Sequence, residues 1–461
     1  MLDVLARRAV ASGSLGAVSA GSRTAAAIGA SALLAGGNAF DAALAAALSE
    51  TVALPSKCGL AGDVVALYVT AGASAPISLV AIGGASVGLY AAAEAAGWEV
   101  PATGPLSVGI PGAPAGYSRI AELARLPLER LVAPAVELAR RGVWWSPMNA
   151  TLECEARALL YRYQPDGCVY SPRDAKHTVG DMVRLPGLAV VLEEFVARGA
   201  DLFTGPLGDA VVDCVQRHGG MLTATDLVSV DVAEEAAHCV QTESGPLWAT
   251  NAPTYGPALT HAMAGRVVSD VGPGDVRRSL ADLADTKTAA AEGTSTVAAV
   301  DEAGNAVVLV HSLSFPQYGS GLVVGEYDLI LSNRAGRGFT FAPGHPNAPV
   351  AGRRPLTTLH AWGIGHRDGW ILGATPGGQQ QVPWNVQLVA QLLDTSDDGE
   401  QAMGDALVTP RWQLDAPGDV RHEGRELGRF EARSSHTLVR TATSRCAAAA
   451  DPRWDGAAVA V

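Results

Sequence analysis

Charge is scarce in this chain of 461 residues: only 17% are Asp, Glu, Lys or Arg, and the formal balance is -13. The arginine pairs Arg7–Arg8, Arg140–Arg141 and Arg353–Arg354 are isolated. With no basic patch to neutralise phosphates, nucleic acid is excluded as a partner. Cysteine is sparse too. The six cysteines are scattered, none forms C-x-x-C, and His238–Cys239 are too close in sequence to chelate one ion. No disulfide framework or Cys/His metal site is expected, and reduced, partly buried thiols suit a cytoplasmic protein. Long lipid-compatible runs are missing. Residues 64–93 carry no charge, but Pro76 and Gly83–Gly84 interrupt them and Ser and Thr recur, so strands and turns are expected rather than a membrane span. The segment after Arg7–Arg8 is too rich in Gly and Ser for the apolar core of an export signal, and Asp3 lies upstream of the pair. There is no short-period repeat, dinucleotide fingerprint, Walker loop or metal-ligand cluster, so neither cofactor nor metal is expected.

What is present is small and apolar. Hydrophobic residues make up 48% of the chain, enough for a large core, and Ala and Gly are heavily used. Residues 22–34 predict a helix stopped by Gly36–Gly37. Asn38 is placed to cap a second helix over 39–49, AFDAALAAALS, which should be buried on most faces. Asp41 inside it should bond a buried backbone group. Strands are expected at 64–69 and 77–82, and helices at 114–124, 129–141, 187–198 and 206–217. The composition shifts over 266–293, a charged stretch ending in Ala-Ala-Ala-Glu-Gly. It reads either as a solvated linker severed at its C-terminal end or as a surface helix and loop. Strands then dominate (296–301, 306–311, 321–324, 328–332, 370–374), followed by a helix at 384–394. The whole predicts an α+β protein.

The run Gly293–Thr294–Ser295–Thr296 opens one of those strands. A cut before Thr294 would give that threonine a free α-amine beside its hydroxyl, so one residue would carry both nucleophile and base. An α-amine has a reference pKa of about 7.7–8.0, so it can accept a proton near neutrality. Taken alone, the run is also what an ordinary strand start looks like. Ser295 would be the nucleophile if the cut fell one bond later. His311 adjoins Ser312, but neighbouring strand residues face opposite ways, so it should point away. Gly377–Gly378, taken alone, reads as a plain turn. His360 and His366 flank a short strand and need no catalytic role.

Several longer motifs resemble the γ-glutamyltransferase (γ-glutamyltranspeptidase) family. They are GGNAFDAALAAALS (36–49), GPLSVGIPGAPAGY (104–117), RLPLERLVAPAVELARRGVWWSP (125–147), the stretch 184–227 with its Gly-Gly-x-Leu-Thr ending, RRPLTT (353–358), TPGGQQ (375–380), TPRW (409–412) and ADPRWDGAA (450–458). They occur in family order over essentially the whole chain. The resemblance implies an N-terminal-nucleophile hydrolase fold, an αββα sandwich of two stacked antiparallel sheets flanked by helices. It also implies self-cleavage between Gly293 and Thr294. The products would be a large subunit (1–293) and a small one (294–461) that together form one unit, and it allows a dimer of such heterodimers. By the same resemblance Thr294 is the nucleophile, Ser312 the supporting hydroxyl where the family has Thr, and Gly377 and Gly378 the oxyanion donors. Water is the expected acceptor.

The departures concern the substrate. Residues 79–97 lack the arginine with which the family grips an α-carboxylate. In LSNRAGRGF (331–339), Arg334 and Arg337 stand where neutral and acidic side chains are expected. Thr357–Thr358 replaces Ser-Ser, Asp63 enters GLAGD (59–63), and Thr296 replaces a histidine. Exchanging acid for arginine favours an anionic substrate over an α-ammonium, provided the arginines face the pocket rather than solvent. A small anionic metabolite is therefore expected, and poor use of glutathione. One group resembling this family serves 4-alkylproline antibiotic biosynthesis by hydrolysing a C–C bond next to a carbonyl, which gives the first reading of function. The alternatives are a γ-glutamyl or amide hydrolase, and an uncleaved, degenerate binding protein.

Overall fold

The computed structural model describes residues 2–228, 230–281, 293–366, 368–395, 399–415, 418–424, 433–443 and 445–461. Two seven-stranded sheets dominate, and every pairing within them is antiparallel. The first runs Ala457–Ala460, Gly16–Ala20, Thr294–Asp301, Ala306–Ser312, Asp63–Val69, Ile77–Ala81, Ala233–Ala236. The second runs Val10–Gly13, Arg445–Ala450, Thr437–Ala442, Gly369–Ala374, Trp362–His366, Gly245–Ala249, His238–Thr242.

Side-chain alternation sorts each strand between two cores. From Thr294–Asp301 and Ala306–Ser312, Ala298, Val300, Val308 and Val310 enter the core between the sheets, with Leu372, Ala374, Val439 and Ala448 from the other sheet. Val297, Ala299, Val307 and Leu309 face the outer helices instead. A third cluster packs Leu247, Ile364, Ile371 and Leu438 against helices Gly256–Met263, Gln381–Asp394 and Glu400–Val408. The layers are therefore helix, sheet, sheet, helix, as the family resemblance implied.

The alanine-rich helix runs Ala39–Ala53, four residues beyond the expected end, and every residue of it is buried. Asn38 caps it in a reciprocal box with Asp41, whose carboxylate also accepts from the Arg125 and Leu126 amides. Small residues let the preceding helix, Arg23–Leu34, approach closely: a Cβ on Gly29 would lie 2.8 Å from the Ala42 carbonyl oxygen. The other expected helices are found at Ala113–Ala121, Leu128–Arg141, Pro186–Arg198 and Pro206–Arg217. Expected strands 321–324 and 328–332 shrink to Val323–Val324 and Leu329–Ile330. Helix Pro147–Tyr163 was not anticipated. Of the charged stretch 266–293, residues Pro273–Ala281 form a helix and 282–292 lie outside the described residues.

The motifs TPRW and ADPRW meet in a buried ion network. Arg411 pairs with Asp451 at 3.0 Å, and Arg453 with Glu423 at 2.6 Å and Asp451 at 3.1 Å. Burial alone would raise the Asp451 carboxyl, yet Arg453 and Arg411 hold it well below the usual carboxylate range. No helix among the described residues is long and apolar enough to cross a membrane.

Candidate active site

Thr294 and Ser312 are cross-strand partners on the face that looks into the gap between the sheets. Their hydroxyl oxygens are 3.0 Å apart. The Ser312 hydroxyl donates to the Gly293 carbonyl at 2.5 Å and accepts from the Ser314 amide at 2.8 Å. With its own proton committed to Gly293, Ser312 is left to accept from Thr294. The carbonyl at the expected cleavage point is thereby polarised by the group that also holds the Thr294 hydroxyl.

The glycine before Thr294 is sterically required. A Cβ there would lie 1.6 Å from the Ser314 carbonyl oxygen. Ser314 itself takes a left-handed φ of 69°, uncommon for a residue with a side chain. Gly62 is needed for a similar reason, since a Cβ on it would meet the Ser312 carbonyl oxygen at 2.3 Å. That brings GLAGD against the end of the Ser312 strand and sets Asp63 opposite Ser312 in register.

The two family loops also interlock. Cβ atoms on Gly109 and Gly336 would lie 2.8 Å from Arg334 Cβ and 2.5 Å from Ser107 Cβ, so GPLSVGIPG packs directly on RAGRG. The short helix Arg334–Gly338 starts after Asn333, whose amide donates to the Ala102 and Phe315 carbonyls. Arg334 Nε donates to Asp63 Oδ2 at 2.7 Å, and both side chains are buried. Burial pushes the Asp63 carboxyl up from its ordinary value, while Arg334 and the Gly83 amide pull it back. Arg337 is half-buried, with its guanidinium over the Phe315 ring at 5.0 Å. Burial, and then repulsion from Arg334, lower it to about 10.

These elements frame one cleft of about 440 Å³, its open mouth included. Thr294, Ser312, Arg334, Arg337, Thr357, Thr358 and Gly378 line it, with Tyr255 and Phe315 as aromatic walls. Of the expected site residues, only Gly377 does not border the cleft. It adjoins Gly378 with a φ of 140°, and a Cβ on it would strike the Trp384 ring at 2.4 Å. Gly378 has a φ of 56°. A turn built on two such angles needs glycine. Thr296, on the nucleophile's face, reaches only the Ser435 carbonyl, at 3.4 Å.

Behind the nucleophile's strand lies a sealed polar cluster not legible in the sequence. His311 points away from Ser312, as alternation required, and bonds Tyr117 Oη at 2.7 Å and Glu50 Oε2 at 2.8 Å. Glu50, Cys58 and His311 are the one group of three ligand-type side chains close enough for an ion among the described residues. Both ring nitrogens of His311 are already hydrogen-bonded, however, and burial drives the Cys58 thiol well above its ordinary value. The group therefore reads as a satisfied buried network. His360 is likewise a wall residue. It bonds the Thr358 carbonyl and Asn385, and burial lowers its pKa to about 4, so it is neutral.

A helix–sheet–sheet–helix sandwich with a threonine heading a central strand, at the mouth of the inter-sheet gap, is the architecture of the N-terminal-nucleophile hydrolases. The gamma-glutamyltranspeptidase family model matches residues 25–286 and 270–461, and the chain belongs to that family. The oxamate amidohydrolase proenzyme of Klebsiella pneumoniae is 25% identical over 506 residues, covering 92% of this chain and 94% of that protein. The glutathione hydrolase proenzyme 1 of Schizosaccharomyces pombe is 31% identical over 238 residues, covering 50% and 37%. The Escherichia coli glutathione hydrolase proenzyme is 23% identical over 364 residues, covering 63% and 62%. The match thus spans less than two thirds of either glutathione hydrolase. Among solved structures, cephalosporin acylase from Bacillus halodurans superposes with a TM-score of 0.83 at 23% identity, covering 99% of this chain and 97% of that one. LmbA2991HD superposes with 0.83 at 22% identity, covering 98% and 99%. Both likenesses are of fold.

Proposed function

We propose that this chain is an autoprocessed threonine hydrolase that acts on a small anionic metabolite and attacks a carbonyl bonded to a carboxylate, an oxalyl-type group. The observation that carries the reading is the convergence of Thr294, Ser312, Arg334, Arg337 and Gly378 on one cleft. In the uncut chain Thr294 Oγ1 attacks the Gly293 carbonyl carbon, passing its proton toward Ser312. The peptide bond becomes an ester, water releases it, and segments 1–293 and 294–461 remain together as the two subunits. The freed α-amine of Thr294 then serves as base.

In the mature enzyme the Thr294 oxygen adds to the substrate carbonyl, and the Gly377 and Gly378 amides hold the oxyanion. Preorganised donors of this kind are worth roughly 2.7–4 kcal/mol each. Collapse breaks the C–C bond beside the carbonyl. The departing carbanion takes the proton held by the amine, and an oxalyl ester stays on Thr294. Water, the acceptor, releases oxalate. The family resemblance and the arginines that replace neutral and acidic residues support a role in 4-alkylproline-type antibiotic biosynthesis, and the scattered, unpaired thiols support a cytoplasmic one.

Cleavage of a C–N bond in the same oxalyl group is the second reading. It is favoured by the relative that matches along 92% of this chain and is named an oxamate amidohydrolase proenzyme. Intact-mass analysis of purified protein, followed by incubation with oxalyl ketones, oxalyl amides and glutathione, tests all three. Two fragments split before Thr294, with oxalate released, are expected. An unbroken active chain, or strong turnover of glutathione with none of the oxalyl compounds, would overturn the proposal.

A further inference from the structure

The two arginines of the cleft are not equivalent. Arg334 is bound to Asp63 through Nε at 2.7 Å, both groups are buried, and the pair is neutral as a unit. Arg337, three residues on, lies against the Phe315 ring and has no carboxylate in ion-pair reach among the described residues. One further donor is idle, since Arg334 Nη2 is buried without a hydrogen-bond partner. Among the described side chains, two guanidinium groups set against one carboxylate leave a single positive charge at a cleft of about 440 Å³, its open mouth included. A half-buried cation beside a second cation is electrostatically unsatisfied until an anion arrives, which is why Arg337 gives up its proton more readily than a free arginine.

We infer that the cleft is built for a monoanion, that the substrate's carboxylate sits against Arg337, and that Arg337 sets the substrate's charge class. The inference rests on the threonine-hydrolase reading and narrows it. A neutral ligand leaves Arg337 unpaired. A zwitterion brings an ammonium toward two guanidinium groups. A dicarboxylate brings a second anion for which the described side chains of the cleft offer no second unpaired guanidinium.

The test uses autoprocessed protein and pyruvate, whose methyl group is too poor a leaving group to be expelled. Calorimetric titration compares it with neutral pyruvamide, zwitterionic L-alanine and dianionic ketomalonate. A hydrogen bond to a charged group is worth about 1.5–3 kcal/mol, so pyruvate should bind at least about tenfold tighter than each of the others. Arg337→Gln should lose about tenfold or more for pyruvate while changing pyruvamide less than about twofold. Arg337→Lys, which keeps the charge, should retain part of the preference. Equal affinity for pyruvate and pyruvamide, or an Arg337→Gln protein that binds pyruvate as the wild type does, overturns the inference. Oxalate release is followed on the same preparations to separate the two claims. Arg337-dependent pyruvate binding without turnover of any oxalyl compound supports the monoanion site and sinks the oxalyl reading. Oxalyl turnover indifferent to Arg337→Gln does the reverse.

Discussion

Gly293→Ala places one methyl group where the fold has no room for it. The added Cβ would lie 1.6 Å from the Ser314 carbonyl oxygen and 2.7 Å from its carbon. A relaxed carbon–oxygen contact needs roughly 3.3 Å, so the two backbones must part by about 1.7 Å. Ser314 is poorly placed to yield. It holds a left-handed φ of 69°, and its amide donates to Ser312 Oγ at 2.8 Å. The strain therefore falls on the Gly293 carbonyl, which leaves the Ser312 hydroxyl it now accepts from at 2.5 Å. A displacement of about 1 Å at a reacting centre costs on the order of 10²-fold, and loss of a donor to a developing oxyanion about 10²–10³-fold. Self-cleavage should therefore slow by at least about 100-fold. A time course on denaturing gels, with intact masses, measures it: wild type resolves into two fragments while the variant persists as one band. Circular dichroism and a thermal melt establish that the variant is folded. A folded Gly293→Ala protein that cleaves within a few-fold of the wild-type rate would refute both the junction and the role of its carbonyl.

Five other substitutions test further links. Ser312→Ala removes the donor to Gly293 and the acceptor for Thr294, and should slow cleavage by roughly 10²–10³-fold. Ser312→Thr should recover most of that rate, and Thr294→Ala should abolish cleavage and turnover together; a Ser312→Ala protein that matures normally would remove Ser312 from the mechanism. His360 is fully buried and lowered to about 4, against about 6.5 in an unfolded chain, so between those values the unfolded state binds the extra proton. The His360 contribution to stability should thus be full above about pH 6.5 and shrink by ~1.4 kcal/mol per unit as pH drops toward 4, alongside a like contribution from buried His436, which is lowered to about 3. His360→Asn should remove one proton's worth of that slope in denaturant titrations at pH 4.5–6.5, and an unchanged slope would show that another group is responsible. Arg411→Ala takes one of the two guanidinium partners from buried Asp451 and should cost about 1.5–3 kcal/mol, the worth of a hydrogen bond to a charged group, read as a lowered denaturant midpoint. A midpoint unmoved by it would mean that Arg453 and water satisfy Asp451 alone.

Local rules were enough for the centre of the fold. Residues 64–69, 296–301 and 306–311 are rich in β-branched and apolar side chains and bounded by turns, and period-two alternation alone puts His311 and Ser312 on opposite faces. The Asn38 cap and the buried alanine helix were legible for similar reasons. Strand Arg445–Ala450 was not, because its four consecutive alanines, Ala447 to Ala450, favour helix; they pair with Thr437–Ala442 and pack on both faces of the second sheet. Helix Pro147–Tyr163 hid behind a weak apolar pattern and an opening of Pro, Asn and Thr. The cleft-lining residues Thr294, Ser312 and Gly378 were found through motif order. Tyr255 carries no local signal and joined them only when the layers stacked.

Asp63 and Arg334 show most clearly why the rest could not be read. In the sequence they are two separate departures from the family pattern, an acid intruding after a glycine and an arginine where a neutral side chain is expected. In space, across 271 positions of sequence, they are one buried hydrogen-bonded pair. Either alone would be a lone charge out of water, costing several kcal/mol, so neither is tolerable without the other. Their joint effect on the cleft's charge is nil. What the pair does change is its neighbour. Because Asp63 is spent on Arg334, it does not also answer Arg337, and among the described residues that cation keeps no carboxylate partner. If Asp63 instead served Arg337, the free positive charge would fall on Arg334, at the start of the short helix, and replacing Arg334 would then be the change that abolished carboxylate binding. The 2.7 Å contact from Arg334 Nε settles which arginine is free, and so which substitution should decide the substrate's charge.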